Sequence, residues 1–253
     1  MLTFSLQSGS NGNSIYVEAG DVRLLFDAGI SGSEAQARMA VHGRDIRACH
    51  AVIISHNHSD HARSAGIFQR KFGLPICATP RTHQAIRGLI GRVDDVRHFS
   101  PGERLDFGDV CVHTLRTPHD GVETVCFIVE HDRRRLGIFT DLGHPFAALR
   151  DALADLDAAY LESNYDPDML WHGPYPVELK RRIAGRGGHL SNDEAAEIIR
   201  AAASPRLRWL ALAHLSEQNN EPDLALSTHR RYVGKLLPLR VASRYEVGEV
   251  AEV

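Results

Sequence analysis

Ser55-His56-Asn57-His58-Ser59-Asp60-His61 brings three histidines and a carboxylate into one short stretch, directly after the apolar run Ala51-Val52-Ile53-Ile54. That short, β-branched run predicts a buried strand. Ala62 to Phe72 predicts a helix, with Ile67 and Phe68 available for its buried face. The cluster therefore falls in a strand-to-helix turn, at the strand's carboxyl end. In an extended segment residues i and i+2 point the same way, so His56 and His58 can grip one metal ion. Asp60 and His61, at the start of the helix, face a second position. Imidazole and carboxylate donors suit zinc and other first-row divalent ions. A solvated, histidine-rich loop is the plain alternative, but His-x-His-x-Asp-His at a strand end is a specific signal.

The chain's 253 residues suit a single two-sheet α/β domain spanning 1–253. With 43% hydrophobic and 24% charged residues, the composition disfavours a disordered chain. A formal charge of −3 means that any nucleic-acid contact must come from a local patch. Cys49, Cys77, Cys111 and Cys126 form no C-x-x-C pair and read as small core hydrophobes of a reducing compartment. No signal-peptide pattern opens the chain, and no apolar run approaches the roughly 18 residues of a membrane helix. The cytoplasm is the expected location, with no membrane partner.

Strands are expected at Leu2–Leu6, Ile15–Glu18 and Val22–Phe26, with a φ-tolerant turn at Ser8–Asn13. Ser33 is the expected cap of a helix to about Val41. A strand at Pro75–Ala78 and a helix at Pro80–Ile90 follow the metal loop. Further strands are expected at Leu105–Phe107 and Val110–Leu115. Thr124–Glu130 and Leu136–Phe139 form a hairpin tipped by His131–Arg135. Helices follow at Pro145–Leu153, Val177–Ile183, Asn192–Ala203 and Leu224–Leu236, with strands at Ala158–Leu161, Trp209–Ala213 and Leu239–Ala242. Strands first, then interleaved helices, fit two β-sheets packed face to face with helices outside.

Two metals need more ligands than one loop carries, and rigid strand ends place ligands best. His119 follows the strand ending near Leu115, Asp141 the strand ending at Phe139, and His214 the strand Trp209–Ala213. Singly, each is an ordinary turn residue. Together with the first cluster they form a series.

That series resembles the ligand set of the metallo-β-lactamase superfamily, and Asp27-Ala28-Gly29 resembles its early structural Asp-x-Gly. The resemblance runs from the first strand to about Asn220. It implies an αββα sandwich, two mixed sheets flanked by helices, with a dinuclear site at one edge. It implies that His56, His58 and His119 hold one metal, that Asp60, His61 and His214 hold the other, and that Asp141 bridges them. Two divalent ions, zinc first and manganese as the alternative, are the expected cofactors. Gly188-His189-Leu190-Ser191-Asn192-Asp193-Glu194 carries a capping box, Ser191-x-x-Glu194, that places His189 just before a helix N-terminus suited to anions. This segment is similar to one in ribonuclease Z. Glu162-Ser163-Asn164-Tyr165-Asp166 and His214-Leu215-Ser216-Glu217-Gln218-Asn219-Asn220 resemble the YycJ/WalJ-like branch, with Tyr165 where that branch has histidine.

The resemblance implies a phosphodiesterase in which a metal-bridging hydroxide attacks phosphorus, and an exonuclease action on DNA. His189 and Asp60 take the catalytic roles: His189 as proton donor or phosphate contact, Asp60 as a ligand that, with Asp141, offsets part of the metal charge. Hydrolysis of a small cyclic or modified phosphodiester stays open, as does a non-catalytic scaffold, although scaffolds usually lose ligands. A thioester or lactam hydrolase suits His189 less well, and a di-iron oxygen-reducing site is disfavoured because His58 stands where that family carries glutamate. His42, His50, His83, His98, His113, His131 and His229 show no ligand spacing. His144 and His172 follow loops expected to rim the site. Of the basic runs, Lys180-Arg181-Arg182 with Arg186 is the favoured phosphate contact. The oligomeric state is not legible.

Overall fold

The computed structural model describes residues 1–235 and 237–253. Two seven-stranded sheets face each other. The first contains β1 (Leu2–Gln7), β2 (Ser14–Ala19), β3 (Val22–Phe26), β4 (Ala51–Ile53), β5 (Ile76–Ala78) and β6 (Val96–His98), and β14 (Ala251–Glu252) extends it beside β1. The second runs from β7 (Arg104–Phe107) through β8 (Val110–Arg116), β9 (Val125–His131), β10 (Arg134–Phe139), β11 (Ala158–Glu162) and β12 (Trp209–Ala213) to β13 (Leu239–Val241). Each sheet starts antiparallel, in hairpin steps, and turns parallel, at β3–β4 and at β10–β11. Parallel neighbours need a crossover, and helices supply it.

Those helices cover the outer faces: α1 (Gly32–Val41), α2 (Ser59–Ala62), α3 (Ala65–Phe72) and α4 (Pro80–Ile90) on the first sheet. The second sheet is served by α5 (Ala147–Leu153), α6 (Pro167–His172), α7 (Val177–Ile183), α8 (Asn192–Ala202) and α9 (Pro222–Val233). Alternation sorts side chains by layer. In β4, Ala51 and Ile53 enter the core between the sheets, while Val52 packs under the helices. In β12, Trp209, Ala211 and Ala213 face the other sheet, and Leu210 and Leu212 face α8 and α9. The expected αββα sandwich is present.

Several boundaries differ from expectation, each for a local reason. Ser31, not Ser33, caps α1, because Ser31 and Glu34 close a reciprocal capping box. The helix expected over Ala62–Phe72 is two helices, since Ser64 breaks the turn between α2 and α3. Phe68 is buried as expected, but Ile67 is 41% exposed. The hairpin tip narrows to Asp132-Arg133, both at positive φ, the geometry a two-residue turn demands. Gly234, at φ 70°, ends α9, and Leu236 of the expected helix lies outside the described residues. The α6 helix, whose cap Asp166 accepts from Met169 N, and β14 went unpredicted. Cys49, Cys77 and Cys126 are buried free thiols, as expected of core residues, whereas Cys111 on β8 is only partly buried. Among the described residues no helix is long and apolar enough to cross a membrane.

Candidate metal centre

The carboxyl ends of β3, β4, β8, β10, β11 and β12 open onto one edge of the sandwich, where such sheets place ligands. Each delivers a polar residue there: Asp27, the His56–His61 loop, His119, Asp141, Glu162 and His214. Three of them, Asp27, Asp141 and His214, sit at φ of 65°, 58° and 56°. The left-handed region costs a non-glycine residue roughly 1–2 kcal/mol, so packing holds these side chains in place against local preference. Hydrogen bonds across the edge do the holding: Val125 N donates to Ser55 O (3.1 Å), Asn13 N to Asp60 O (2.7 Å) and His214 N to Ser8 Oγ (2.9 Å).

Every sequence-predicted ligand arrives at this edge. Ligand atoms of His56, His58 and His119 lie within 4.8 Å of one another, as do those of Asp60, His61 and His214. Asp141 groups with His56 and His61 within the same limit, so it stands between the two sets. In the first set His58 Nδ1 lies 3.3 Å from His119 Nε2. In the second, Asp60 Oδ2 lies 3.4 Å from both His61 Nε2 and His214 Nε2. Asp141 places Oδ2 3.1 Å from His61 Nε2 and Oδ1 3.5 Å from His119 Nε2.

The remaining ring nitrogens are tied from behind. His56 Nδ1 donates to Ser55 Oγ (3.0 Å), whose hydroxyl donates in turn to Asp27. His61 Nδ1 donates to Asp27 Oδ2 (2.7 Å), His119 Nδ1 to Gly188 O (2.8 Å) and His214 Nδ1 to Glu162 Oε1 (3.0 Å). A rear nitrogen that donates fixes the tautomer and turns the other lone pair inward, as a metal ligand requires. Two buried inward atoms, His56 Nε2 and Asp141 Oδ2, have no hydrogen-bond partner among the described residues. Such orphans are costly unless a cation completes them. The donor set fits two divalent ions.

The electrostatics agree. Burial would depress the His214 imidazole, yet Asp141, Asp60 and Glu162 lift it to about 10. Burial opposes ionisation of Asp141 too, but His214 and His61 hold it well below the usual carboxylate range. His56, unlike His214, is held well below its ordinary value, by burial and by the neighbouring His61. The field of this edge is that of clustered carboxylates seeking positive charge.

Glu162 is the residue that sequence reasoning quoted without a role. It is fully buried, and five donors reach it: His189 Nδ1 (2.8 Å), His214 Nδ1 and the amides of Asp141, Leu142 and Leu190. Burial alone would raise its carboxyl, but His189 and His214 bring it down to about 2. Glu162 also lies within ligand distance of Asp141, His189 and His214. Five donors exhaust a carboxylate's acceptor sites, so it serves as an anchor. Its signal was its place at the end of β11, matching the other strand-end residues. Asn13, read only as a turn residue, sends Nδ2 to within 3.1 Å of His61 Nε2.

His189 stands where the capping box of α8 leaves it, its ring centroid 5.1 Å from His119 and 5.2 Å from His214. It lines a cavity of about 210 Å³ together with His58, Asp60, His119, Asp141 and His214. The basic run divides. Lys180 turns inward and donates to Trp171 O (2.9 Å) and Gly173 O (2.7 Å), which removes it as a phosphate contact, while Arg182 lines the cavity. His144 bonds Arg186 O and His172 bonds Asp168 O, and neither lines the cavity.

The metallo-beta-lactamase superfamily model matches residues 8–214. The chain is 34% identical over 250 residues to the exodeoxyribonuclease YycJ of Bacillus anthracis, covering 98% of this chain and 92% of that protein. It is 34% identical over 227 residues to the exodeoxyribonuclease WalJ of Streptococcus pneumoniae, covering 88% of this chain and 84% of the relative. Among solved structures, the metallo-beta-lactamase fold protein YhfI of Bacillus subtilis superposes with a TM-score of 0.76 over 100% of this chain and 99% of its own, at 16% identity, a likeness of fold. With its sandwich, its strand-end ligand series and these relatives, the chain belongs to the metallo-beta-lactamase superfamily and, within it, to the family of YycJ and WalJ.

Proposed function

We propose that this protein is a dinuclear, metal-dependent exonuclease acting on DNA. The observation that carries the reading is the pair of three-residue ligand groups with Asp141 between them, in a chain whose relatives are named exodeoxyribonucleases. His56, His58 and His119 would hold one ion, Asp60, His61 and His214 the other, and Asp141 both. Zinc suits this imidazole-rich set best, with manganese as the alternative. When bound, two such ions supply charge for the phosphate oxygens and acidity for a water that attacks phosphorus.

The chain's own groups do the rest. Glu162 accepts a hydrogen bond from His189 Nδ1–H, so His189 Nε2 is the nitrogen left to face substrate in the cavity. Protonated, Nε2 gives its proton to the departing sugar oxygen, the step on which an alkoxide leaving group depends. Asp60 and Asp141 moderate the site's positive charge, so that product phosphate can leave.

Asp141→Ala tests the reading. Zinc content of the purified variant should fall together with release of nucleotides from end-labelled single-stranded DNA. Full metal content with wild-type DNA cleavage in that variant would refute it.

A further inference from the structure

We propose that Arg182 is a second phosphate contact, which grips the DNA backbone one step away from the scissile bond and sets the preference for a polynucleotide over a lone phosphodiester. This rests on the nuclease reading above and names how that site holds its substrate. Among the charges of the basic run, Arg182 alone lines the cavity. Its Nε donates to Asp120 Oδ2 at 2.7 Å, and among the described residues neither Nη atom has a hydrogen-bond partner. The guanidinium is thus held at one edge while its two-pronged end stays free, and that end matches two oxygens of one phosphate.

Asp120 fixes the distance to the chemistry. Its other oxygen, Oδ1, lies 3.4 Å from His58 Nε2 and 3.5 Å from His119 Nε2, so one carboxylate spans from the candidate ligands to Arg182. Asp120 stands between the candidate ligands and Arg182, which is why the proposal gives Arg182 the phosphate next to the scissile one. Lys180 supports the same wall from beneath. By bonding Trp171 O and Gly173 O it ties α7 to the segment that brings Tyr175 to the cavity. Tyr175 is half-buried there, and its hydroxyl has no partner among the described residues. An aromatic ring at this wall is the kind of group on which a nucleic-acid base stacks.

The bland reading of Arg182 is a surface ion pair that fastens α7 to the Thr117–Asp120 loop, and such a pair is worth little. Arg182→Gln separates the two. With the zinc-loaded enzyme, kcat/KM should be measured on bis-p-nitrophenyl phosphate, which carries one phosphate, and on oligo-dT, which carries many, across a range of salt. Losing a charged hydrogen-bond pair should cost oligo-dT roughly ten- to a hundredfold, and at least tenfold more than bis-p-nitrophenyl phosphate. The slope of log(kcat/KM) for oligo-dT against log salt should flatten by about 0.7, the value of one single-strand phosphate. Arg182→Lys should recover the slope but only part of the rate, because it keeps the charge and loses the fork. Equal losses on both substrates, or an unchanged slope, overturn the proposal while leaving the nuclease reading intact. A wild-type enzyme that cleaves bis-p-nitrophenyl phosphate but no DNA overturns both.

Discussion

In the proposed mechanism, His189 and Glu162, joined by a hydrogen bond of 2.8 Å, form the pair on which proton transfer turns. Glu162 is saturated by five donors, so it can hold the His189 ring without competing for a metal. His189→Ala should therefore keep metal content and slow cleavage of DNA by about a hundred- to ten-thousandfold, the range for loss of a general acid. The loss should be smaller on p-nitrophenyl esters, whose leaving group needs little protonation. Metal analysis beside the two rate ratios checks this. Loss of one ion in the variant would make His189 a ligand, and equal losses on both substrates would leave it only a phosphate contact.

Among the elements, the turn after β3 is locked to the loop after β4 and to the turn between β1 and β2. Ala28 N donates to His61 O (2.6 Å), and Gly29 N to Asn13 O (2.9 Å). A Cβ on Gly29 would meet Asp60 O at 1.6 Å and Asn13 N at 2.6 Å, both backbone atoms that cannot swing aside. Gly29 in the Asp27-Ala28-Gly29 turn thus sets how closely the ligand loop approaches. Gly29→Ala should destabilise the fold by more than about 2 kcal/mol in urea unfolding, and should lower metal affinity with it. A variant as stable as wild type would show that the two loops can separate without cost.

At the scale of the whole molecule, a polar knot beneath the site should contribute to the acid limit. His229, on α9, donates Nε2–H to Ser163 Oγ (3.1 Å), and Ser163 donates to Asn192 Oδ1 (2.6 Å) at the start of α8. His229 Nδ1 is buried without a partner among the described residues, so a second proton there finds no acceptor. Burial pushes this imidazole down from 6.5 to about 4. A folded value below the unfolded one means the unfolded chain binds more protons between those pH values. Stability is then full above about pH 6.5 and falls as pH drops through the window, by up to about 3 kcal/mol from this group. Urea midpoints at pH 7.5 and 4.5 should show wild type losing about 2–3 kcal/mol more than His229→Gln, which keeps the donor and cannot titrate. Equal losses would remove His229 from the acid limit.

The sequence by itself determined the layered fold class and the series of candidate ligands. Both are local signals: β-branched runs alternate with helical stretches, and polar residues stand directly after apolar strands. It placed Val22–Phe26, Pro80–Ile90, Val177–Ile183 and Trp209–Ala213 at their observed bounds for the same reason. Only the tertiary structure decided what lies behind and across from those ligands. Glu162 is an anchor because two histidines and three backbone amides converge on it. Lys180 and Arg182 part because α7 buries one face and turns the other to the cavity. Asp27, Asp141 and His214 hold left-handed backbone that local preference disfavours. These outcomes depend on contacts between residues far apart in the chain, and no spacing along it encodes them.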